Sequence, residues 1–130
     1  MLVLDENLPA SQRQLLLKWR IHFRMIGVDV AARGTDDEIL ISAFHHLPQP
    51  TFFSLDNDFY RRDWVHASYC LVWLDVRRRD AAVFIRRFLR HPSFDTQNKR
   101  MGNVVRVHSH GITFWRGRQR APDSVAWPAQ

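Results

Sequence analysis

Apolar residues along this chain follow two spacings, one typical of strands and one typical of helices. Short continuous apolar runs predict four strands, at residues 2–4, 28–30, 51–55 and 69–76. Between them, apolar residues three and four positions apart predict helices at residues 9–26, 35–47 and 79–91. Strands that alternate with helices are typical of a mainly parallel sheet covered by helices on both faces. The pattern therefore predicts an α/β fold with three layers.

The last third of the chain predicts a β-hairpin and then a tail. Residues 104–108 and 112–115 alternate between apolar and polar positions, and a Ser-His-Gly sequence typical of turns separates them. From Gly117 onward the sequence is rich in arginine, proline and alanine. We expect a single domain over residues 1–116, followed by a flexible basic tail over residues 117–130.

Three short acidic clusters stand where a predicted strand ends or a predicted helix begins: Asp5-Glu6, Asp36-Asp37-Glu38 and Asp56-Asn57-Asp58. Right-handed crossovers place the carboxyl ends of parallel strands at one edge of a sheet, so Asp5 and Asp56 should meet there. Carboxylates that converge repel one another unless they share a proton or bind a divalent cation. The clusters therefore predict a metal site at this edge.

A hard divalent cation such as Mg²⁺ or Mn²⁺ takes oxygen ligands, usually carboxylates together with water and phosphate. The predicted ligands are Asp5 and Asp56 at two strand ends, Glu38 in the first turn of the second helix, and Asp58. The neighbouring acids are expected to shape the local field without contacting the metal: Glu6, Asp36 and Asp37. Such a site could activate water for the hydrolysis of a phosphodiester.

Each acidic cluster also has a structural interpretation. Thr35 followed by Glu38 is the pattern of a helix capping box, in which the Glu38 carboxylate would accept a hydrogen bond from the Thr35 amide. The third cluster is also typical of an ordinary turn, and Asp5 could cap the region of the first helix. The metal site requires that all three clusters meet at one edge of the sheet.

The chain carries a net charge of +6, and arginine supplies nearly all of its positive charge, since Lys18 and Lys99 are the only lysines. Guanidinium groups make forked hydrogen bonds to phosphate, so this composition favours nucleic acid as a partner. Arg61 and Arg62 follow the third acidic cluster and are expected to hold substrate phosphates. Three alternatives remain: surface ion pairs with the acids, an arginine content set by genomic base composition, or an acidic protein partner.

The cysteine content and the absence of long apolar runs bear on the compartment. Cys70 is the single cysteine and lies within an apolar run, as a buried thiol in a reducing compartment would. No apolar run approaches the ~20 residues needed to cross a bilayer. No basic and apolar leader precedes the first predicted strand. We therefore expect a cytoplasmic protein with no membrane partner.

Three blocks of the sequence resemble the signature blocks of small bacterial PIN-like domains: Val3-Leu4-Asp5-Glu6-Asn7-Leu8-Pro9, Gly34-Thr35-Asp36-Asp37-Glu38-Ile39-Leu40 and Ser54-Leu55-Asp56-Asn57-Asp58-Phe59. They are similar to the toxin nucleases of VapC-type toxin–antitoxin pairs and to Mut7-C ribonuclease domains. Residues 104–107 and 111–114 resemble the final hairpin of the same group. The resemblance covers most of residues 1–116, and its specificity comes from the ordered set of three blocks.

The resemblance implies a PIN-like α/β/α sandwich and a metal-dependent endoribonuclease, the toxin of a type II toxin–antitoxin pair. In this interpretation Asp5, Glu38, Asp56 and Asp58 are the catalytic acids and the ligands of Mg²⁺ or Mn²⁺. Metal-activated water would hydrolyse RNA phosphodiesters, a cognate antitoxin protein would be the partner, and a homodimer is compatible with the family. Two features depart from the family pattern. Residues 59–68 are short for its substrate-selecting segment, and Asp75 stands where the family has no fixed acid.

Two other functions fit parts of the same pattern. The chain could be a non-catalytic PIN-like module that binds RNA or protein. A receiver domain that accepts phosphate also gathers acids at strand ends, but it needs a lysine late in the sheet. No lysine lies between Asp58 and Lys99, and Lys99 falls in a predicted loop. The receiver interpretation is therefore the weakest of the three.

Overall fold

The computed structural model describes residues 1–129 and shows an α/β fold built on a seven-stranded mixed sheet. The strands are β1 (Leu2–Leu4), β2 (Arg24–Met25), β3 (Thr51–Ser54), β4 (Cys70–Leu74), β5 (Asn103–His108), β6 (Gly111–Arg116) and β7 (Asp123–Ala126). Their order across the sheet is β2-β1-β3-β4-β5-β6-β7. β1 to β5 are parallel to one another, whereas β6 runs antiparallel to β5 and β7 antiparallel to β6. The predicted mainly parallel sheet and the β5–β6 hairpin are thus confirmed, but β7 rather than the hairpin forms that edge of the sheet.

Within residues 1–129, four α-helices connect these strands: α1 (Ala10–Lys18), α2 (Asp37–Phe44), α3 (Ala81–Arg90) and α4 (Gln97–Arg100). Short 3₁₀ turns occupy three further segments: Asn57–Phe59, Arg62–Trp64 and Arg78–Asp80. Over residues 1–129, none of the helices has the length and apolar character that crossing a bilayer requires.

The helices cover both faces of the sheet. α1 and α3 pack on one face against Leu4 and Phe53, and α2 packs on the other face against Val3 and Phe52. Consecutive strand residues point to opposite faces, so a strand with both faces covered buries every residue. This explains the continuous apolar runs in the sequence. The arrangement is compatible with a three-layer α/β/α sandwich.

The region after the first helix differs from its prediction. α1 ends at Lys18, because Arg20 adopts a left-handed conformation (φ 60°) and the Ile21 amide bonds back to the Leu16 carbonyl oxygen at 2.9 Å. The second strand, β2, therefore begins at Arg24 and not at residue 28 as predicted. The predicted strand at residues 28–30 is wrong, since this segment is a turn in which Val28 is 80% exposed.

The segment predicted to be a flexible basic tail, residues 117–130, contains β7. The buried His91 donates a hydrogen bond from Nε2 to the Ala126 carbonyl oxygen at 2.8 Å. The Trp127 indole N–H donates to the His108 carbonyl oxygen at 2.8 Å, and the Arg87 guanidinium lies 4.3 Å from the Trp127 ring centroid. The ordered domain therefore extends beyond residue 116. Gln130, the last residue of the predicted tail, lies outside the described residues.

Candidate metal centre

The carboxyl ends of two adjacent parallel strands place acidic residues at one edge of the sheet. β1 and β3 are paired in parallel with Leu4 opposite Phe53, so Asp5 and Asp56 follow the strands at the same edge. Asp37 stands at the start of α2. One carboxylate oxygen from each of Asp37, Asp56 and Asp58 lies within 4.8 Å of the others. We call these three residues the acidic group.

A tight turn holds two members of the acidic group together. The Asp56 carboxylate accepts a hydrogen bond from the Asp58 amide at 2.9 Å, which is the bond that caps the 3₁₀ turn Asn57–Phe59. Phe59 ends this turn and is buried, with its ring centroid 4.8 Å from that of Phe52 in β3. Asp56-Asn57-Asp58 therefore forms an ordinary turn, as the structural interpretation of the third cluster predicted. The turn also brings the two carboxylates to the same point.

Asp5 lies beside the acidic group and is connected to the Asp56 backbone by hydrogen bonds through Ser54. Its carboxylate accepts hydrogen bonds from the Glu6 amide at 2.8 Å and from the Ser54 hydroxyl at 2.6 Å. The same Ser54 oxygen accepts from the Asp56 amide at 3.0 Å and from the Asn7 side chain at 3.1 Å. Burial is the main cause that raises the pKa of Asp5 above its ordinary value. The structure thus links Asp5 to Asp56 through one serine.

Sequence reasoning chose Glu38 from the second cluster, whereas the structure brings Asp37 into the acidic group. Adjacent helical residues project about 100° apart around the axis, so one position decides which side chain faces the sheet edge. Glu38 is exposed and lines the groove next to the acidic group, together with Arg61 and Trp64. The only sequence signal for Asp37 was its place within the cluster.

The capping-box alternative for Glu38 does not describe this helix start. The residue before α2 is Asp36, whose side chain makes no capping hydrogen bond. The Thr35 hydroxyl donates instead to the Ala32 carbonyl oxygen. The Thr35 amide donates to the same carbonyl oxygen at 3.3 Å, so it does not donate to Glu38.

Negative charge accumulates in the acidic group, and in the described part of the chain none of its members forms an ion pair. Burial, followed by repulsion from Asp56, Asp58, Asp5 and Glu38, raises the pKa of Asp37 above its ordinary value. Within residues 1–129 the ion pairs are four, and none involves a member of the acidic group: Arg33–Glu6, Arg61–Asp63, Lys99–Asp95 and Arg106–Asp75. Converging carboxylates of this kind are stabilised when a cation joins them.

The Arg106–Asp75 pair also accounts for the acid that ends the fourth strand. The Asp75 carboxylate accepts hydrogen bonds from two nitrogens of Arg106, at 2.9 and 2.7 Å. Its charge is therefore already balanced by a guanidinium. Asp75 is a structural partner of Arg106 in β5, and it is not part of the acidic group.

The two arginines that follow the third cluster lie in different places. Arg61 lines the groove next to the acidic group, where its guanidinium makes two hydrogen bonds to Asp63 at 3.1 and 2.6 Å. Arg62 lines a separate groove, with its guanidinium 5.1 Å from the Trp115 ring centroid. The structure thus places the two arginines, both expected to hold substrate phosphates, in different grooves.

The chemistry of the acidic group rests on its own donor atoms. Comparison with protein-family models, with curated proteins and with solved structures finds no match. The donors are carboxylate oxygens from three aspartates, two of them half-buried and one exposed. Such an oxygen-only set suits hard cations better than soft ones. The acidic group could hold a metal ion.

The raised pKa of Asp37 predicts a pH effect on stability. An acid whose pKa is higher in the folded state than its unfolded value of 3.8 costs stability when ionised. The folded protein takes up that proton first as the pH falls, so the cost disappears below the unfolded pKa. In EDTA, lowering the pH from about 7 toward 3.8 should therefore raise the unfolding free energy of wild type relative to that of Asp37→Asn. Urea unfolding measures this difference, and an identical pH dependence of both proteins would contradict it.

Proposed function

We propose that this protein is a cytoplasmic, metal-dependent endoribonuclease with a PIN-like fold. The observation that carries the proposal is the convergence of Asp37, Asp56 and Asp58 within 4.8 Å at the edge where parallel strands end. These residues would hold Mg²⁺ or Mn²⁺, since both prefer carboxylate oxygens. When bound, such a cation stabilises the charge that develops on a phosphodiester and acidifies a water molecule.

In this proposal the side chains around the acidic group orient it and bind substrate. Asp5 and Ser54 fix the backbone at Asp56, so Asp5 acts as a positioning residue. Asp37 takes the role that the sequence resemblance assigned to Glu38. Arg61 lies in the same groove, where it would place a guanidinium near a bound phosphate.

Two further observations support a nucleic acid substrate, and a third supports a cytoplasmic location. The chain has a net charge of +6, although five acids gather at this edge of the sheet: Asp5, Asp37, Glu38, Asp56 and Asp58. A second groove runs from Asp56 past Trp73 to Arg78, so a cationic side chain also borders the acidic group on that side. The single cysteine, Cys70, is buried, as a thiol in a reducing compartment would be. The role as a toxin with a cognate antitoxin is supported by the sequence resemblance.

The proposal predicts cleavage that depends on a divalent cation. Purified protein should cut a circular single-stranded RNA in Mn²⁺ or Mg²⁺ and leave it intact in EDTA. A circular substrate has no ends, so its linearisation reports endonucleolytic cutting. Asp56→Asn, purified in parallel, controls for contaminating nuclease and should be inactive. Equal cleavage by that variant, or cleavage in EDTA, would refute the mechanism.

The same experiment distinguishes the ribonuclease from the alternative of a non-catalytic PIN-like module. A PIN-like module that only binds RNA or protein would show no linearised product in any metal. It would also show no binding of Mn²⁺ by isothermal titration calorimetry, if the acidic group serves structure alone. Mn²⁺ binding that is lost in Asp56→Asn is the result we expect.

A further inference from the structure

A groove distinct from the two at the acidic group lies where β4 and β5 begin and β6 ends, away from the edge that carries the acidic group. It is open, has a volume of about 800 Å³, and its walls include Arg62, Arg116 and Arg118. We call it the arginine groove. Val65 and Ala67 contribute apolar surface between the cationic side chains.

The charge of the arginine groove is positive. Among the described residues that line it, the only carboxylate is that of Asp63, which accepts two hydrogen bonds from Arg61 at 3.1 and 2.6 Å. Arg61 itself lines the neighbouring groove at the acidic group. The three arginines of the arginine groove are therefore not cancelled by the acid beside them, and the groove suits an anionic ligand.

Arg116 is held in place by a buried amide. Asn103, 1% exposed, donates from Nδ2 to the carbonyl oxygens of Arg100 at 2.9 Å and Lys99 at 3.0 Å. Its Oδ1 therefore faces Arg116 and accepts a hydrogen bond from Nε at 3.0 Å. Over residues 1–129 the terminal nitrogens of Arg116 make no hydrogen bond, so its fork is oriented and available.

Arg62 is oriented in a different way. Its guanidinium lies 5.1 Å from the ring centroid of Trp115, within the range of a cation–π contact. In the described part of the chain its side chain makes no hydrogen bond or ion pair. Arg116 is thus oriented by a hydrogen bond and Arg62 by a weaker cation–π contact before a ligand arrives, which lowers the entropy cost of binding an anion.

One short turn connects the arginine groove with the acidic group. In the segment that contains Arg62–Trp64, Arg61 and Trp64 line the groove at the acidic group, whereas Arg62 and Val65 line the arginine groove. The segment runs back from the edge where β3 ends to the edge where β4 begins. An extended polyanion that crosses this turn would meet both sites.

We propose that the arginine groove binds the sugar–phosphate backbone of the single-stranded RNA that reaches the acidic group. This inference rests on the proposed function, which makes that strand the substrate. The volume of the groove suits a short stretch of extended strand rather than a duplex. Forked guanidinium groups match phosphate geometry, and the contacts would be independent of base sequence.

The test is fluorescence anisotropy of a labelled single-stranded RNA of about twelve nucleotides in EDTA, measured over a range of salt concentrations. The double variant Arg116→Ala, Arg118→Ala should bind about tenfold more weakly. The slope of log affinity against log salt should fall by about 1.4, because two phosphate contacts are lost. Arg79→Ala, Arg90→Ala removes the same charge from exposed positions in and beside α3 and should bind nearly as wild type.

A conservative variant separates geometry from charge. Arg116→Lys keeps the positive charge but loses the fork and the bond to Asn103, so it should bind more weakly with an unchanged salt slope. Circular dichroism and thermal melting check that each variant is folded. Equal weakening by both double variants, or no RNA binding by wild type, would overturn the proposal.

Binding in EDTA is measured without cleavage, so the two proposals can fail separately. In Mn²⁺ the arginine-groove double variant should need more RNA for half-maximal rate and keep the maximal rate of wild type. If wild type binds RNA through these arginines without cutting it, the proposed ribonuclease activity is refuted and the proposed RNA binding by the arginine groove is retained. If wild type cuts RNA and the double variant binds RNA as wild type does, only the proposed RNA binding by the arginine groove is refuted.

Discussion

Replacing Asp37 with asparagine is expected to lower Mn²⁺-dependent RNA cleavage at least about 100-fold, because the change removes one of three converging carboxylates. The same change at Asp36, one residue earlier, is expected to alter the rate less than about twofold. Asp36 is exposed and its side chain makes no capping hydrogen bond. The two variants lose the same charge at the same helix end, so their difference isolates the acidic group.

The companion variant Glu38→Gln distinguishes the structure from the sequence resemblance. If Asp37 is the helix residue that serves the acidic group, Glu38→Gln should keep most of the cleavage rate. Initial rates on labelled RNA at fixed Mn²⁺ give the comparison. Loss of activity in Glu38→Gln with a normal rate in Asp37→Asn would show that the helix acid is Glu38.

Asp37→Asn should also change stability in the opposite direction to activity. In EDTA the substitution relieves repulsion from Asp56 and Asp58, so the free energy of unfolding should rise. Added Mn²⁺ should stabilise wild type but have little effect on the variant, since a ligand that binds only the folded state adds to its stability. Thermal melts with and without Mn²⁺ test this reversal. A variant that is destabilised in EDTA would contradict the repulsion.

Replacing Ser54 with alanine is expected to cost about 3 kcal/mol of unfolding free energy, because buried polar groups lose their partner. The hydroxyl is fully buried, donates to Asp5 and accepts from the Asp56 amide and the Asn7 side chain. The loss should be largest when Asp5 is ionised, since its carboxylate then has the greatest need of the donor. It should shrink as the pH falls through the raised pKa of Asp5.

Urea unfolding at neutral and mildly acidic pH measures the effect of Ser54→Ala. Ser42→Ala is the matched control, because Ser42 is exposed on α2 and should change stability by less than about 0.5 kcal/mol. RNA cleavage should also decrease, since the Asp56 amide loses its hydrogen bond to the Ser54 hydroxyl. A Ser54→Ala protein as stable as the Ser42 variant would mean that water replaces the hydroxyl without penalty.

Much of the fold could be predicted from the sequence, because its strands and helices carry strong local patterns. Phe52 and Phe53 are both buried, so β3 appears as an apolar run, and the β5–β6 hairpin shows clear alternation. The end of α1 could not be predicted, since Arg20 adopts a left-handed conformation that is usually marked by glycine. β7 escaped prediction because its stability comes from contacts of Ala126 and Trp127 with distant residues.

The candidate site was predictable to the level of its clusters, and less so to single residues. Asp56 and Asp58 follow from a strand end and a tight turn, both of which are local in sequence. The choice between Asp37 and Glu38 depends on where α2 begins to within one residue, which sequence patterns rarely define. The role of Ser54 required knowledge of the sheet, because its partner Asp5 lies on the neighbouring strand.

The two outer strands of the sheet bear on how the protein behaves at high concentration. An exposed strand edge is a template for pairing with another chain, and natural sheets blunt it with short strands and proline. On one side β2 has only two residues, and on the other β7 has four, with Pro122 directly before it and Pro128 shortly after. Proline lacks the amide donor that an added strand would need. Together with mutual repulsion at a net charge of +6, these short borders should disfavour edge-to-edge aggregation.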